Sequence, residues 1–371
     1  MFPDSLKYYI ALEQIQGVGS ILAKRLIAYC GSAEAVFSQK QQALEKIPGV
    51  GSMLAREIVH QTALQRAEQE LKYLEKHHIL ALCYTDNNYP ERLRQCDDGP
   101  TVLFVKGNVC FNQQKFISIV GTRHATPYGN EVCKNIIAQL ASHDQKIVIV
   151  SGLAYGIDIC AHRAALQNGL ETIAVMATGL DKTYPTAHKT YAHQISEQGA
   201  CVSDFLSGTD LDRKHFLKRN RIIAGLSDAT LIVESGIKGG ALVTADIASS
   251  YNRDVLAVPG RVGDTYSEGC NALIRQNKAA LVETANDIEY ILGWENTLEQ
   301  TVPTQFSLFN NLSDEEQIVL DVLKKTESEN IDIISSATNI PMARLSSILL
   351  NMEFNGIVKT LPGKQYAIKR P

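Results

Sequence analysis

Between residues 79 and 295 short apolar runs alternate with longer stretches of helical periodicity. The runs are Phe116–Val120, Ile147–Val150, Thr172–Met176, Ala229–Val233 and Val255–Val258. Tyr128–His143 and Gly156–Asn168 fall between the first three, and Arg213–Ser227, Ala241–Asn252, Asn271–Gln276 and Asp287–Trp294 are the later helical stretches. Alternation at this spacing predicts an α/β fold, a doubly wound parallel sheet with helices on both faces.

The flanking segments follow other patterns. Residues 1–78 contain an internal echo: Ile15-Gln16-Gly17-Val18-Gly19-Ser20 precedes Ile21–Tyr29, and Ile47-Pro48-Gly49-Val50-Gly51-Ser52 precedes Met53–His60. In each copy a G-V-G turn ends one helix and the serine is placed to cap the next. This is the pattern of paired helix-hairpin-helix motifs, a helical SAM-like domain. Amides exposed at such helix starts suit a phosphate, with Lys24, Arg25 and Arg56 close by; the competing reading is a small bundle whose glycines only make turns. Residues 296–311 form a polar linker. In 312–371, Ser313 caps a helix opened by Asp314, Glu315 and Glu316, and Ile331–Ala337, Thr338–Ile340 and Pro341–Phe354 read as helix-turn-helix. Gly356–Lys359, Pro362-Gly363 and Gln365–Ile368 complete a winged helix as strand, turn and strand. Its recognition helix carries Arg344 as its basic residue, which favours a protein contact over reading a DNA groove.

The chain has 371 residues, enough for two or three domains, with 36 Lys and Arg against 40 Asp and Glu. The net charge of −4 excludes a polybasic coat, and 45% apolar residues exclude disorder. No apolar run spans a membrane and the N-terminus lacks a signal-peptide layout, so a cytoplasmic protein is expected, with no membrane partner. The eight cysteines form no C-x-x-C pair and the nine histidines no H-E-x-x-H, so neither disulfides nor a metal site is expected. The acidic surplus lies almost wholly in Ser313–Asn330, where six carboxylates face Lys324 and Lys325. The rest of the chain is balanced, and one stretch is not: Leu211–Ile223 sets Arg213, Lys214, Lys218, Arg219 and Arg221 against Asp212 alone. On a helix Lys214, Lys218 and Arg221 form one basic stripe, with Arg213, Phe216 and Asn220 on a neighbouring face. Cations beside an aromatic ring suit a single strand, which needs phosphate neutralisation and a stacking surface. Against this stands a solvated helix with Phe216 in the core.

The strand ends carry glycine and small polar residues: Gly121-Thr122-Arg123, Ser151-Gly152, Gly156, Ser235-Gly236 and Gly239-Gly240. In an open parallel sheet such turns share the carboxyl edge, where exposed amides make an anion pocket. No G-x-G-x-x-G, Walker loop or G-x-S-x-G elbow is present, which disfavours a dehydrogenase, an ATPase and a serine hydrolase.

SIVGTRHATPYG, VSGLAYGIDICAH, TGLDKTYP, FLKRNRIIAGLSD, VESGIKGGALVTADIA, VLAVPG and EGCNALI, in this order, resemble the DNA-processing protein A family (DprA, also called Smf). The resemblance implies an extended Rossmann-like domain that binds and protects single-stranded DNA and helps load the RecA recombinase in natural transformation. It further implies a homodimer, no cofactor and no catalytic turnover. Carried over by position, it assigns DNA contact to Gly121, Thr122, Arg123, Arg213, Lys214, Phe216, Lys218, Arg219, Asn220 and Arg221. Ser151, Gly152, Gly156, Ser235 and Gly239 would shape the pocket floor, and Arg253 is a further contact. The chain departs from the family at Ser203-Asp204-Phe205, where members have Ser-Glu and a proline-rich turn.

Two other readings stand beside this one. A nucleoside-monophosphate phosphoribohydrolase has a similar sheet, but its P-G-G-x-G-T-x-x-E stretch is represented here by Ser235–Thr244 without the glutamate. A transcription regulator acting through the winged helix is weakened by the lone Arg344.

Overall fold

The computed structural model describes residues 2–294, 313–324, 326, 328–354, 357–361 and 365–368. Six helices come first: α1 (Leu6–Gln14), α2 (Ser20–Cys30), α3 (Ala33–Phe37), α4 (Gln41–Leu44), α5 (Ser52–His60) and α6 (Thr62–Lys76). The two echoed turns have nearly the same geometry. Gly17 and Gly49 adopt φ of +91° and +92°, and the amides of Val18 and Val50 return to Ile15 O and Ile47 O at 2.9 and 3.0 Å. Both valines are buried, so the echo builds core as well as turns. One detail differs from expectation: Ser20 and Ser52 are the first helical residues, and Gly19 and Gly51 occupy the N-cap positions without a side-chain cap.

The next elements are β1 (Leu80–Cys83), α7 (Glu91–Arg94), β2 (Val102–Gly107), β3 (Lys115–Val120), α8 (Pro127–His143), β4 (Ile147–Ser151) and α9 (Ile157–Gln167). They are followed by β5 (Thr172–Val175), α10 (Lys189–Gln198), β6 (Ala200–Ser203), α11 (Arg213–Leu226), β7 (Ala229–Ile232) and α12 (Gly240–Ser250). Then come β8 (Asp254–Ala257), α13 (Glu268–Arg275), β9 (Ala280–Leu281) and α14 (Ala285–Leu292). The nine strands are ordered β1-β2-β6-β5-β4-β3-β7-β8-β9, parallel from β6 to β9 and antiparallel at β1 and β2. All five expected strands are present. Four more complete the sheet, β6, β2 and β1 beyond β5 on one side and β9 on the other, where short or interrupted apolar runs hid them.

The sheet is doubly wound. One face buries Val148, Val150 and Val175 against α11, α12 and α13; the other buries Ile117, Ile149 and Leu231 against α8, α9 and α14. The chain steps outward from β3 through β6, then returns to lay β7 on the opposite side of β3. The strand order therefore reverses between β3 and β7, and a crevice opens at the carboxyl ends of the strands.

The six N-terminal helices share a continuous core with β1 and β2, through Ile79, Cys83, Val102 and Phe104. Residues 1–295 form one compact unit and 296–371 another. The second contains α15 (Asp314–Leu323), β10 (Glu329–Asn330), α16 (Ile331–Thr338), α17 (Met342–Phe354), β11 (Val358–Leu361) and β12 (Gln365–Ile368). Ser313 and Glu316 form the capping box of α15, and the strands pair antiparallel in the order β10-β12-β11. The expected linker at 296–311 and the Pro362-Gly363 turn lie outside the described residues.

No described cysteine is in a disulfide, and six of the eight are buried. Burial pushes the Cys83, Cys201 and Cys270 thiols up to about 12, so they are packing groups without nucleophilic character. Among the described residues no helix is long and apolar enough to cross a membrane, and no His, Cys, Asp and Glu cluster could hold a metal ion.

Candidate nucleic-acid interface

Two strand ends and one helix start converge on the switch point. β3 runs into Gly121-Thr122-Arg123, β7 into Glu234-Ser235-Gly236, and the first turns of α11 complete the third side. They enclose an open crevice of roughly 570 Å³ lined by Arg123, Phe216, Arg219, Asn220, Lys238 and Gly239, among others. Gly121, Thr122 and Ser235 also line it. The Arg123 guanidinium carbon lies 5.3 Å from the centroid of the Phe216 ring. The ring also meets Tyr184 edge-on at 5.4 Å. Phe216 is half-buried, so part of its ring stays open to a ligand.

The turn that carries Arg123 is held from beneath. The Thr122 amide donates to Glu234 O at 2.7 Å, and the Ile157 amide to Thr122 O at 3.1 Å. Gly156 makes this approach possible: it adopts φ +77°, and a Cβ there would stand 2.1 Å from Thr122 O. Glu234, buried at the end of β7, brings a carboxylate close to the crevice. It accepts from the Thr126 amide at 2.9 Å and from Thr126 Oγ1 at 2.5 Å, which occupies it at the start of α8. Asp158 is also buried below the turn. Burial raises its pKa, opposed by Arg219, the Ala154 amide and Arg123, so the floor carries a compensated charge.

The remaining expected site residues divide into three groups. Arg213, Lys214 and Lys218 are exposed on the first turns of α11, outside the crevice lining. Lys218 Nζ lies 3.4 Å from Asp204 and 5.0 Å over the Phe205 ring. Ser151 and Gly152 are buried under the floor, where Ser151 Oγ donates to Ile119 O at 2.6 Å. Arg219 reaches the crevice from below, 3% exposed, and donates to Gly152 O at 2.6 Å and to Val175 O. Burial lowers its pKa to about 10, with Asp158 opposing. Its charge contributes to the field of the crevice, but its hydrogen bonds join β4 to β5.

Two expected contacts lie elsewhere. Arg221 is buried in an ion pair with Asp204 and also donates to Asp98 O. The basic stripe of Lys214, Lys218 and Arg221 therefore turns into the protein at its last member. Arg253 precedes β8 at the amino edge, away from the crevice, and donates to Arg92 O at 3.0 Å and Gln95 Oε1 at 3.1 Å. Both arginines are neighbours of apolar strands or helices in sequence, and neither burial nor sheet edge is visible at that level.

The structure adds residues that sequence reasoning did not single out. Tyr184 stands beside Phe216, Lys238 adds a cation, and Leu217 and Ile237 are exposed apolar residues along the lining. Tyr184 belongs to the TGLDKTYP stretch, whose aromatic was the available signal.

Of the three N-terminal cations singled out, Arg56 is exposed and the other two are committed. Lys24 Nζ donates to Cys96 O and Asp97 O at 3.0 and 3.1 Å, and Arg25 joins the two hairpins through Pro48 O at 2.9 Å. In the winged helix Arg344 Nε donates to Glu315 Oε2 at 2.9 Å, so the one basic residue of α17 is already paired.

The model of DNA recombination-mediator protein A matches residues 80–292, and that of the DprA winged helix domain residues 309–364. The chain belongs to the DNA recombination-mediator protein A family. Protein Smf of Synechocystis is 31% identical over 97% of this chain and 98% of its own. The X-ray structure of DprA from Streptococcus pneumoniae superposes with a TM-score of 0.67 at 32% identity, covering 76% of this chain and 96% of that one. DprA of Helicobacter pylori, whose structure was described for its single-stranded DNA binding mode, gives 0.53 at 28% identity, over 58% and 96%. The match to the recombination-mediator model begins at β1 and ends in α14, so it contains every element of the crevice.

Proposed function

We propose that the crevice binds single-stranded DNA without chemical turnover, and that the protein shields the strand and helps load the RecA recombinase onto it as a cytoplasmic homodimer. In this reading residues 79–295 are the DNA-binding domain, with 1–78, the 296–311 linker and 312–371 as accessories. The observation that carries the reading is Arg123 over Phe216 at the switch point. A strand needs a cation for phosphate and an aromatic face for a base, and here the two are adjacent. A base on the open part of Phe216 would meet a ring already held by Tyr184. Amides of the Gly121 and Gly236–Gly239 turns would face the phosphates, with Arg123 and Lys238 supplying charge. The recombinase and homodimer assignments follow from family membership alone.

Fluorescence anisotropy tests the reading. The protein is expected to prefer a single strand over its duplex, with log affinity falling by about 0.7 per decade of salt for each phosphate contact. Phe216→Ala should cost about 1–3 kcal/mol, the value of one stacked base. Arg123→Ala should weaken binding and remove about one contact from the salt slope. Equal affinity for strand and duplex, or unchanged affinity in both variants, would refute the crevice as the site. The recombinase role is read from filament growth on strand already coated with this protein.

A further inference from the structure

Arg123 and His124 belong to two depressions at once. Besides the crevice, they line a shallower one of roughly 520 Å³ with Asn130, Tyr155, Gly156 and Ile159. Helix α9 starts there, and Ile159, Arg163 and Gln167 follow one another at four-residue intervals along one of its faces. That face leads to a groove of roughly 690 Å³ between α9 and α10, lined by Arg163, Leu166, Gln167, Tyr191 and Gln194, among others.

An aromatic run accompanies this path. Tyr155 is exposed and meets His188 edge-on at 4.9 Å; His188 meets Tyr191 at 6.4 Å. Arg163 then places its guanidinium carbon 5.6 Å from the Tyr191 centroid. An arginine over an aromatic ring, as in Arg123 over Phe216, thus also lines this groove, between α9 and α10. Glu197, the acid of this groove, is turned to His193 at 3.3 Å, and Arg163 is in no ion pair among the described residues. Arg163 lies seven residues beyond Gly156, about 10 Å along the helix axis. That corresponds to about three stacked nucleotides.

We infer that the α9–α10 groove is a second segment of the single-strand path: a strand leaving the crevice past Arg123 crosses Tyr155, stacks a base on Tyr191 and sets a phosphate against Arg163. This rests on the reading of the crevice as a single-strand site. The geometry favours nucleic acid because an exposed cation beside a half-buried aromatic ring answers both the charge and the base, and because one helix, α9, lines both the depression at Arg123 and the groove.

Anisotropy with two oligothymidylates, of about four and about twelve nucleotides, separates the two claims. Full-length wild type should bind both. Arg163→Gln should lower the salt slope for the long oligonucleotide by about 0.7, and Tyr191→Leu, which keeps an apolar group against the core, should weaken it about tenfold. Both variants should leave the short oligonucleotide within about twofold of wild type, since it ends before the groove. If the variants bind the long oligonucleotide like wild type, the track is refuted and the crevice stands. Parallel weakening of the short one also refutes it. If wild type binds neither, the crevice reading falls and the track with it.

Discussion

Arg219 and Arg221 are two positions apart in one basic stretch, yet neither offers its guanidinium to solvent. Arg219 joins the ends of β4 and β5, and Arg221 is paired with Asp204. A buried guanidinium needs partners, and each is coupled to backbone or carboxylate before any ligand arrives, although Arg219 Nε is left without one. His162, behind the same floor, shows the cost of charge there. Thr172 Oγ1 donates to Ile149 O, so the imidazole donates from Nδ1 to Thr172 Oγ1. Burial, then Arg219 and His188, hold its pKa at about 3 against an ordinary 6.5. The sign follows directly: below 6.5 the unfolded chain binds a proton that the folded one refuses. His162 therefore contributes stability that is fully present above pH 6.5 and is lost as the pH falls towards 3. Denaturant titrations across this interval should show that His162→Gln flattens the acid limb by about 1.4 kcal/mol per pH unit. An unchanged limb would mean that the imidazole is protonated in the fold.

Helix α11 and the turn after β3 are the elements that make the site, and each has two tasks. The exposed first turns of α11 hold Arg213 and Lys214, its middle sends Phe216 and Asn220 to the crevice, and its last two turns are core. The helix therefore passes from solvent to core within about four turns of 5.4 Å each. The basic character is consequently exposed to solvent at one end and built into the fold at the other. The turn after β3 depends instead on glycine. Gly156→Ala would force a side chain onto Thr122 O from a left-handed backbone, and the turn would have to move. Its expected result is a loss of about 1–3 kcal/mol of stability with weakened single-strand binding, because Arg123 moves with Thr122. A melting temperature and affinity equal to wild type would show that the turn is not so constrained.

At the scale of the molecule, charge and core are distributed separately. Each of the two compact units has its own apolar core, that of the second built on Val319, Ile334, Leu345 and Leu349. The second unit carries nine carboxylates against seven Lys and Arg, half of the chain's acidic surplus, and its recognition helix presents Arg344 already bound to Glu315. A chain ending after Trp294 should therefore melt as residues 1–294 do in the full protein and keep its single-strand affinity within about twofold at matched salt. A loss of more than about tenfold would assign the winged helix a direct share in DNA contact.

The doubly wound sheet, the two hairpin echoes, the winged helix and the clustering of glycine and arginine at strand ends were all legible in the order of residues. Periodicity is local, and a strand buried on both faces must be apolar over its whole length. β6, four residues long, and the two-residue edge strand β9 escaped because runs this short carry no readable period. What only the tertiary structure decided is which cations remain available. Arg123 and Arg221 look alike along the chain, but the reversal of strand order puts one beside Phe216 and the other against Asp204. Tyr184 reaches the same ring from 32 residues away in sequence. Long-range contacts of this kind are set by how the layers pack, and that is where a chain of net charge −4 gathers Arg123, Arg219 and Lys238 around one crevice, with Asp158 and Glu268 in the same lining.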